Sequence, residues 1–277
     1  MLHVSVSVSP RSKPEVYVTK DNSPLGLRIV APVVAASLVL LVWFAVAAAH
    51  SIPTTLLPDP GDVLQRLGRD LTSGRLWLPL WVTTLEALAG CALSALTAMP
   101  IAYLIAHSKL ADAALSPYLA ASQAIPAVAV APLMVIWVGY GMLPVVLLCS
   151  VMVFFPMVLS TVLGLRSIDK ELLDAARVDG ATAWQLACWM EWPLALPATL
   201  TGLRNGFTLS ITGAVVGELV MGGSGLGQRL AVQSQSVDTI GLFSTLIVLS
   251  VLAVTIFLSM RLVEWLANPF ASRRRLK

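Results

Sequence analysis

Charge is what this sequence has least of. Only 12% of its 277 residues are Asp, Glu, Lys or Arg, about half the roughly 25% that coats a typical soluble domain. That scarcity excludes a soluble enzyme, a disordered chain and a nucleic-acid binder. The net charge of +3 is too small to build a field for a polyanionic partner. Cysteine is also sparse. Cys91, Cys149 and Cys188 stand far apart with no CxxC, so they read as buried free thiols rather than as disulfides or metal ligands. His3, His50 and His107 are equally dispersed and make no metal cluster by local spacing. No GxxxxGK[ST] segment occurs anywhere, which leaves the chain without a nucleotide site of its own. No metal and no other cofactor is expected.

Apolar residues fill the space that charge leaves. They make up 57% of the chain, and the mean hydropathy is +0.83. The apolar runs are continuous rather than alternating, which argues for helices and against a β-barrel. A helix needs about 20 such residues to cross about 30 Å of hydrocarbon. Six runs qualify: Leu25 to Ala49, Leu78 to Ala106, Ala113 to Val138, Leu143 to Leu165, Leu194 to Val220 and Ile240 to Leu266. The expected fold is therefore an all-α polytopic membrane protein with six transmembrane helices. Pro117, Pro126 and Pro132 must kink or break the third run. Residues 1–24 read as a flexible polar tail, 25–270 as the transmembrane domain and 271–277 as a basic tail.

Sidedness follows from the basic residues. With the N-terminus inside, thirteen of the 18 Lys and Arg fall in inside segments, four fall outside, and Arg204 falls within a span. The positive-inside rule then puts both termini in the cytoplasm. The outer segment after the first run carries Leu57-Pro58-Asp59-Pro60-Gly61-Asp62, a turn leading into a short amphipathic helix near Val63 to Leu71.

Residues 166–193 form the one long inside loop, and it is the most polar stretch between helices. It reads as two short helices. Asp169 caps the first and Gly180 ends it. Thr182-Ala183-Trp184-Gln185 fits a capping box for the second. That second helix is expected to expose Trp184, Leu186, Trp189 and Met190. A short helix with large exposed apolar side chains is either a hairpin lying on the membrane or a knob for a groove in a soluble partner.

Asp174-Ala175-Ala176-x-x-x-Gly180, followed by Met190-x-Trp192-Pro193, resembles the EAA signature of binding-protein-dependent ABC importer permeases. Asp174 stands where that family has glutamate, and Trp192 where it has leucine. The likeness extends from about Leu57 to Asn268 through Ser122-Gln123-Ala124-Ile125-Pro126, Phe155-Pro156, Gly202-Leu203-Arg204 and Ser224-Gly225-Leu226-Gly227. These segments look like the nitrate/sulfonate/taurine-type branch. Thr84-Leu85-Glu86 and Trp137-Val138-Gly139-Tyr140-Gly141 look most like members assigned to thiamine-pyrimidine precursors or riboflavin. The resemblance implies a type I importer permease in a prokaryotic inner membrane. It also implies two ABC ATPase subunits, an extracytoplasmic solute-binding protein and a permease homodimer as partners. Asp174, Ala175, Ala176, Gly180, Trp184, Met190 and Pro193 would then form the ATPase-coupling loop.

Other constellations stay open on sequence alone. Gly222 to Gly227 reads as a flexible outer turn, since a GxSG nucleophile would need a histidine deep in another span. Gly202, Gly206, Ser210, Gly213 and Gly217 line one helix face, which means ordinary bundle packing, a homodimer seam or a pore wall. Glu86, Gln123, Arg204 and Glu218 are polar or ionisable groups inside spans, where such groups are paired or line a pathway. A Glu86–Arg204 ion pair is one such reading. The rival functions are an ion-gradient-driven secondary transporter, which favours internal repeats not seen here, and a membrane-embedded enzyme, for which a catalytic set is lacking.

Overall fold

The computed structural model describes residues 25–49, 52–122 and 124–267. The two expected tails and Gln123 lie outside the described residues. The chain divides into two units, at Met1–Ser51 and Ile52–Lys277. The described part of the first unit is one helix, α1 (Leu25–Ala48), whose 24 residues have no acidic residue in the first turn and no basic residue in the last. At 1.5 Å per residue its length is about 36 Å.

The second unit is a helical bundle, and its described residues contain no strand. Its helices are α2 (Pro60–Thr72), α3 (Trp77–His107), α4 (Lys109–Ser122), α5 (Ala127–Val138), α6 (Met142–Arg166), α7 (Lys170–Val178), α8 (Ala183–Leu186), α9 (Trp192–Met221), α10 (Leu226–Gln235) and α11 (Thr239–Ala267). A π-helical turn, Ala187–Glu191, joins α8 to α9 without a break. Among the described residues three helices are long and apolar enough to cross a membrane: α3, α6 and the stretch Thr239–Leu266 of α11. A fourth span is reached if Ala183–Met221 and α10, bent by 46° to each other, count as one broken span.

The third apolar run is two helices rather than one. Pro117 and Pro132 sit inside α4 and α5, whereas the break falls at Pro126, an extended residue capping α5. Proline disfavours the α conformation of the residue before it, so Ile125 ends what Pro117 and Pro132 only perturb. The expected amphipathic helix is α2, started by Asp59 accepting the Gly61 N–H at 2.7 Å with Pro60 in the first turn.

The core lies between α3, α6 and α9. Ala98, Ala102, Ile105, Val153, Met157, Val158 and Phe207 form its lower cluster, and Ala87, Val145, Leu148, Cys149, Ile211 and Ala214 form the next. The small-residue stripe of α9 faces α6 within the same chain. A methyl added at Gly202 would strike Ser160, at Gly206 Val153, and at Gly213 Met152 and Cys149. Ser210 completes the stripe by donating to the Ala87 carbonyl at 2.7 Å. Bundle packing is thus the reading of the stripe that the structure bears out. Cys91 and Cys149 are free and buried, and Cys188 is free and half-buried.

Candidate functional site: a polar hairpin and the charges behind it

The hairpin between α6 and α9 is built by local hydrogen bonds. Asp169 accepts the Glu171 N–H at 3.0 Å and starts α7. Arg177 pairs with Asp174 at 2.7 Å, three residues apart on its exposed face. At the end of α7 the Gly180 N–H donates to the Arg177 carbonyl and the Ala181 N–H to the Ala176 carbonyl, both at 3.0 Å. These two bonds are a Schellman closure, which needs a left-handed residue, and Gly180 has φ +88°. Thr182 then accepts the Gln185 N–H while the Gln185 side chain accepts the Thr182 N–H, completing the capping box of α8.

Trp184 is 76% exposed and Trp189 78% exposed. Ala176, Gly180, Gln185, Trp189 and Met190 border a groove between the two arms. One part of the sequence expectation fails here. Leu186, the last residue of α8, is 5% exposed, and Met190 is half-buried within the π turn, whose i→i+5 bonding departs from the α period.

Glu191, which sequence reasoning passed over, ties the hairpin to the bundle. Its carboxylate accepts the Tyr103 hydroxyl at 3.0 Å and meets His107 Nε2 at 2.9 Å. The Tyr103 ring stacks on His107 and on Trp192. Beside it, Arg166 bonds Asp112 at 2.9 Å and the Ile105 carbonyl at 3.1 Å. The signal was present as the unnamed residue of Met190-x-Trp192-Pro193, a buried carboxylate in an otherwise apolar run.

The charges behind the hairpin pair differently from the expectation. Arg204 bonds Glu264 of α11 at 2.8 Å, not Glu86. Glu86 faces Glu218 instead, with Thr83 donating to Glu218 at 2.7 Å. The glycine-rich turn is anchored rather than flexible: the Leu226 N–H donates to Thr83 at 2.8 Å and the Gly227 N–H to Glu218. Among the described residues no group of three His, Cys, Asp or Glu could hold a metal ion.

Residues 98–270 match the family described as binding-protein-dependent transport system inner membrane component. The chain belongs to that family. Its members are transport components rather than enzymes, and this is a multi-pass membrane protein. The chain is 40% identical to the riboflavin transport system permease protein RibX of Chloroflexus aurantiacus, over 82% of this chain and 85% of that one. It is 30% identical to the formylaminopyrimidine transport permease protein ThiX of Halalkalibacterium halodurans, over 86% of this chain and 94% of that one. A chain of the MetNI methionine ABC transporter, solved in inward-facing conformations, superposes with a TM-score of 0.60 at 20% identity, covering 69% of this chain and 96% of its own. That likeness establishes the permease fold.

The turn of this permease can be tested without any partner. No atom lies within 4 Å of a Cβ placed on Gly180, so a substitution there is strained by the backbone and not by crowding. Gly180→Val is expected to cost about 1–2 kcal/mol locally, whereas Gly180→Asn tolerates the left-handed region. Limited proteolysis of the hairpin should quicken in the valine variant at unchanged membrane abundance. Equal nicking of both variants would reject the closure.

Proposed function

We propose that this chain is the pathway-forming subunit of an ABC importer, with residues 166–193 docking into a cytoplasmic ATPase subunit. Two copies would enclose the pathway, each with one ATPase, and an extracytoplasmic solute-binding protein would deliver the solute. The six spans would be α1, α3, α4 with α5, α6, α9 and α11, with both termini in the cytoplasm. Residues 1–24 and 271–277 would be cytoplasmic tails. ATP binding would shift the population between inward- and outward-facing states.

The observation that carries this reading is the pair of exposed tryptophans on a locally hydrogen-bonded hairpin. Large aromatic side chains held out on a short rigid element are the usual anchors of a protein–protein contact. Asp174, Ala175, Ala176, Gly180 and Pro193 would shape the element, and Trp184 and Trp189 would fill the partner's groove, with half-buried Met190 at its edge. The double variant Trp184→Ala with Trp189→Ala is expected to lose about 4 kcal/mol of ATPase affinity if each anchor is worth about 2 kcal/mol. Copurification of the ATPase and ATP-dependent uptake should fall together at unchanged membrane abundance. Normal copurification would remove the hairpin from the coupling role.

The solute we favour is an uncharged planar heterocycle of the riboflavin or thiamine-pyrimidine-precursor kind. A cavity of about 460 Å³ lies beside α5 and α6, with walls from Val130, Leu148, Met152, Phe155 and Leu209 and one hydroxyl from Ser122. Apolar walls with few polar groups suit a flat apolar body. No Lys or Arg lines that cavity among the described residues, and Arg204 is already neutralised by Glu264, which weighs against a sulfonate or taurine-type anion. Uptake by vesicles of labelled riboflavin against labelled taurine discriminates the two. Dependence on ATP and indifference to ionophores separate the importer from an ion-driven transporter.

A further inference from the structure

The hairpin is held to α3 by a bridge whose donors and acceptors can be counted. His107, the last residue of α3, places Nδ1 2.9 Å from the Tyr103 carbonyl oxygen and Nε2 2.9 Å from the Glu191 carboxyl group. A carbonyl oxygen has no hydrogen to give, so Nδ1 must carry one. A neutral imidazole has a single N–H, and Nδ1 has used it. The Nε2–Glu191 contact therefore needs a second proton between the two atoms, whichever of them holds it. The Tyr103 ring, stacked 4.1 Å away, keeps the imidazole in this place.

Without that proton the bridge turns repulsive. The Nε2 lone pair would face a carboxylate oxygen at hydrogen-bond distance. Glu191, 4% exposed, would keep only the Tyr103 hydroxyl as donor, at 3.0 Å. A buried carboxylate that loses a partner is costly, and moving the π turn away from α3 would rehydrate it. The neighbouring charges do not replace the lost donor. Arg166 at the end of α6 is committed to Asp112 of α4 and to the Ile105 carbonyl. Arg177 of α7 is committed to Asp174. Lys170 of α7 and Lys109 of α4 are exposed, and Cys188 of the π turn is half-buried. Among the described residues only Tyr103 and His107 hydrogen-bond the Glu191 carboxyl group. Protons have a way in, because the His107 side chain is 41% exposed and borders a cavity of about 630 Å³ beside Arg166 and Lys170. Histidine is the side chain that ordinarily changes charge between about pH 5 and 8.

We propose that the His107–Glu191 bridge is a proton-operated clasp: with its proton the hairpin is fastened to α3, and without it the π turn is released. Fastening is present at lower pH and is lost as pH rises through the titration of the pair. The clasp needs no partner to operate. Its consequence, that coupling to the ATPase responds to the pH around the hairpin, rests on the docking role proposed above.

The test uses the full-length chain in lipid nanodiscs without an ATPase, so a failure of docking leaves its result unchanged. Amide hydrogen exchange of residues 187–192, corrected for the intrinsic effect of pH, is followed from about pH 5.5 to about pH 8.5. In the unaltered chain it should rise about tenfold or more, the scale of one lost hydrogen bond to a charged group. His107→Arg keeps a donor at every pH, so its exchange should stay slow and flat. His107→Ala has no donor, and its exchange should be fast and flat. Amides in the middle of α6, remote from His107, should exchange alike in all three, which separates an open clasp from a lost fold. A flat profile in the unaltered chain would overturn the proposal, and so would a rise with pH that persists in His107→Ala.

Discussion

Replacing Arg204 with methionine is expected to destabilise the permease by about 3 kcal/mol, the lower end of the range for breaking a buried ion pair. Arg204 and Glu264 are 23% and 22% exposed at their side chains, so partial hydration keeps the cost from rising further. The guanidinium also stacks over Phe257, 5.4 Å from its ring centre, and Thr201 donates to the second Glu264 oxygen at 3.1 Å. Glu264→Gln should cost less than Arg204→Met, since the amide oxygen can still accept from the guanidinium while its NH2 group donates to the Thr201 hydroxyl. The double variant should be milder than the sum of the two, with a coupling of about 1–3 kcal/mol. Arg204→Met combined with Glu86→Gln should be additive. Thermal unfolding of the detergent-solubilised chain measures all four. Coupling between Arg204 and Glu86 would contradict the arrangement of charges described above.

Gly90→Leu is expected to prevent accumulation of folded protein, and Gly90→Ala to lower stability by about 1–3 kcal/mol through overpacking. A Cβ at Gly90 meets the Cys149 side chain, and lies 2.9 Å from the Val146 carbonyl oxygen and 3.2 Å from the Ser150 nitrogen. Two of these three atoms belong to the α6 backbone, which cannot swing aside as a side chain can, so α3 and α6 must part. Gly68→Ala is the matched control. It has no atom within 4 Å of its new methyl and sits in the exposed helix α2, where alanine stabilises by roughly 0.5–1 kcal/mol. Thermal midpoints moving the same way for both variants would refute the close α3–α6 contact.

What could be read from the sequence depended on whether the determinant was local. The hairpin was legible because its caps lie within a few residues of what they cap: Asp169 with Glu171, Thr182 with Gln185, and Gly180 with the end of α7. The α9 stripe was legible as a face because helical periodicity fixes which residues share one. Its partner was not, since periodicity says nothing about the helix opposite. The charge pairs failed for the same reason. Glu264 lies 60 residues beyond Arg204, in a run whose apolar character hid it. Met190 was misjudged because the sequence reading assumed an unbroken α period where the π turn runs, and Leu186 because apolar character alone does not say which side of a short helix meets the bundle. The anchored glycine turn shows a further limit. Glycines at Gly225 and Gly227 look like licence for motion, but here they are what admits a carboxylate to the backbone.

The π turn has a mechanical consequence. From Ala183 to Met221 the backbone is helical without interruption, so Trp184 and Trp189 sit on the short arm of a lever whose long arm is α9. At 1.5 Å per residue that long arm extends about 45 Å. Glu191 lies where the two arms meet, and its bonds to Tyr103 and His107 of α3 make that point a fulcrum. A displacement of a few ångströms at the tryptophans is therefore not absorbed by a loop. It is delivered as torque to the helix that carries Glu218 and leads into α10, and the fulcrum sets its mechanical advantage.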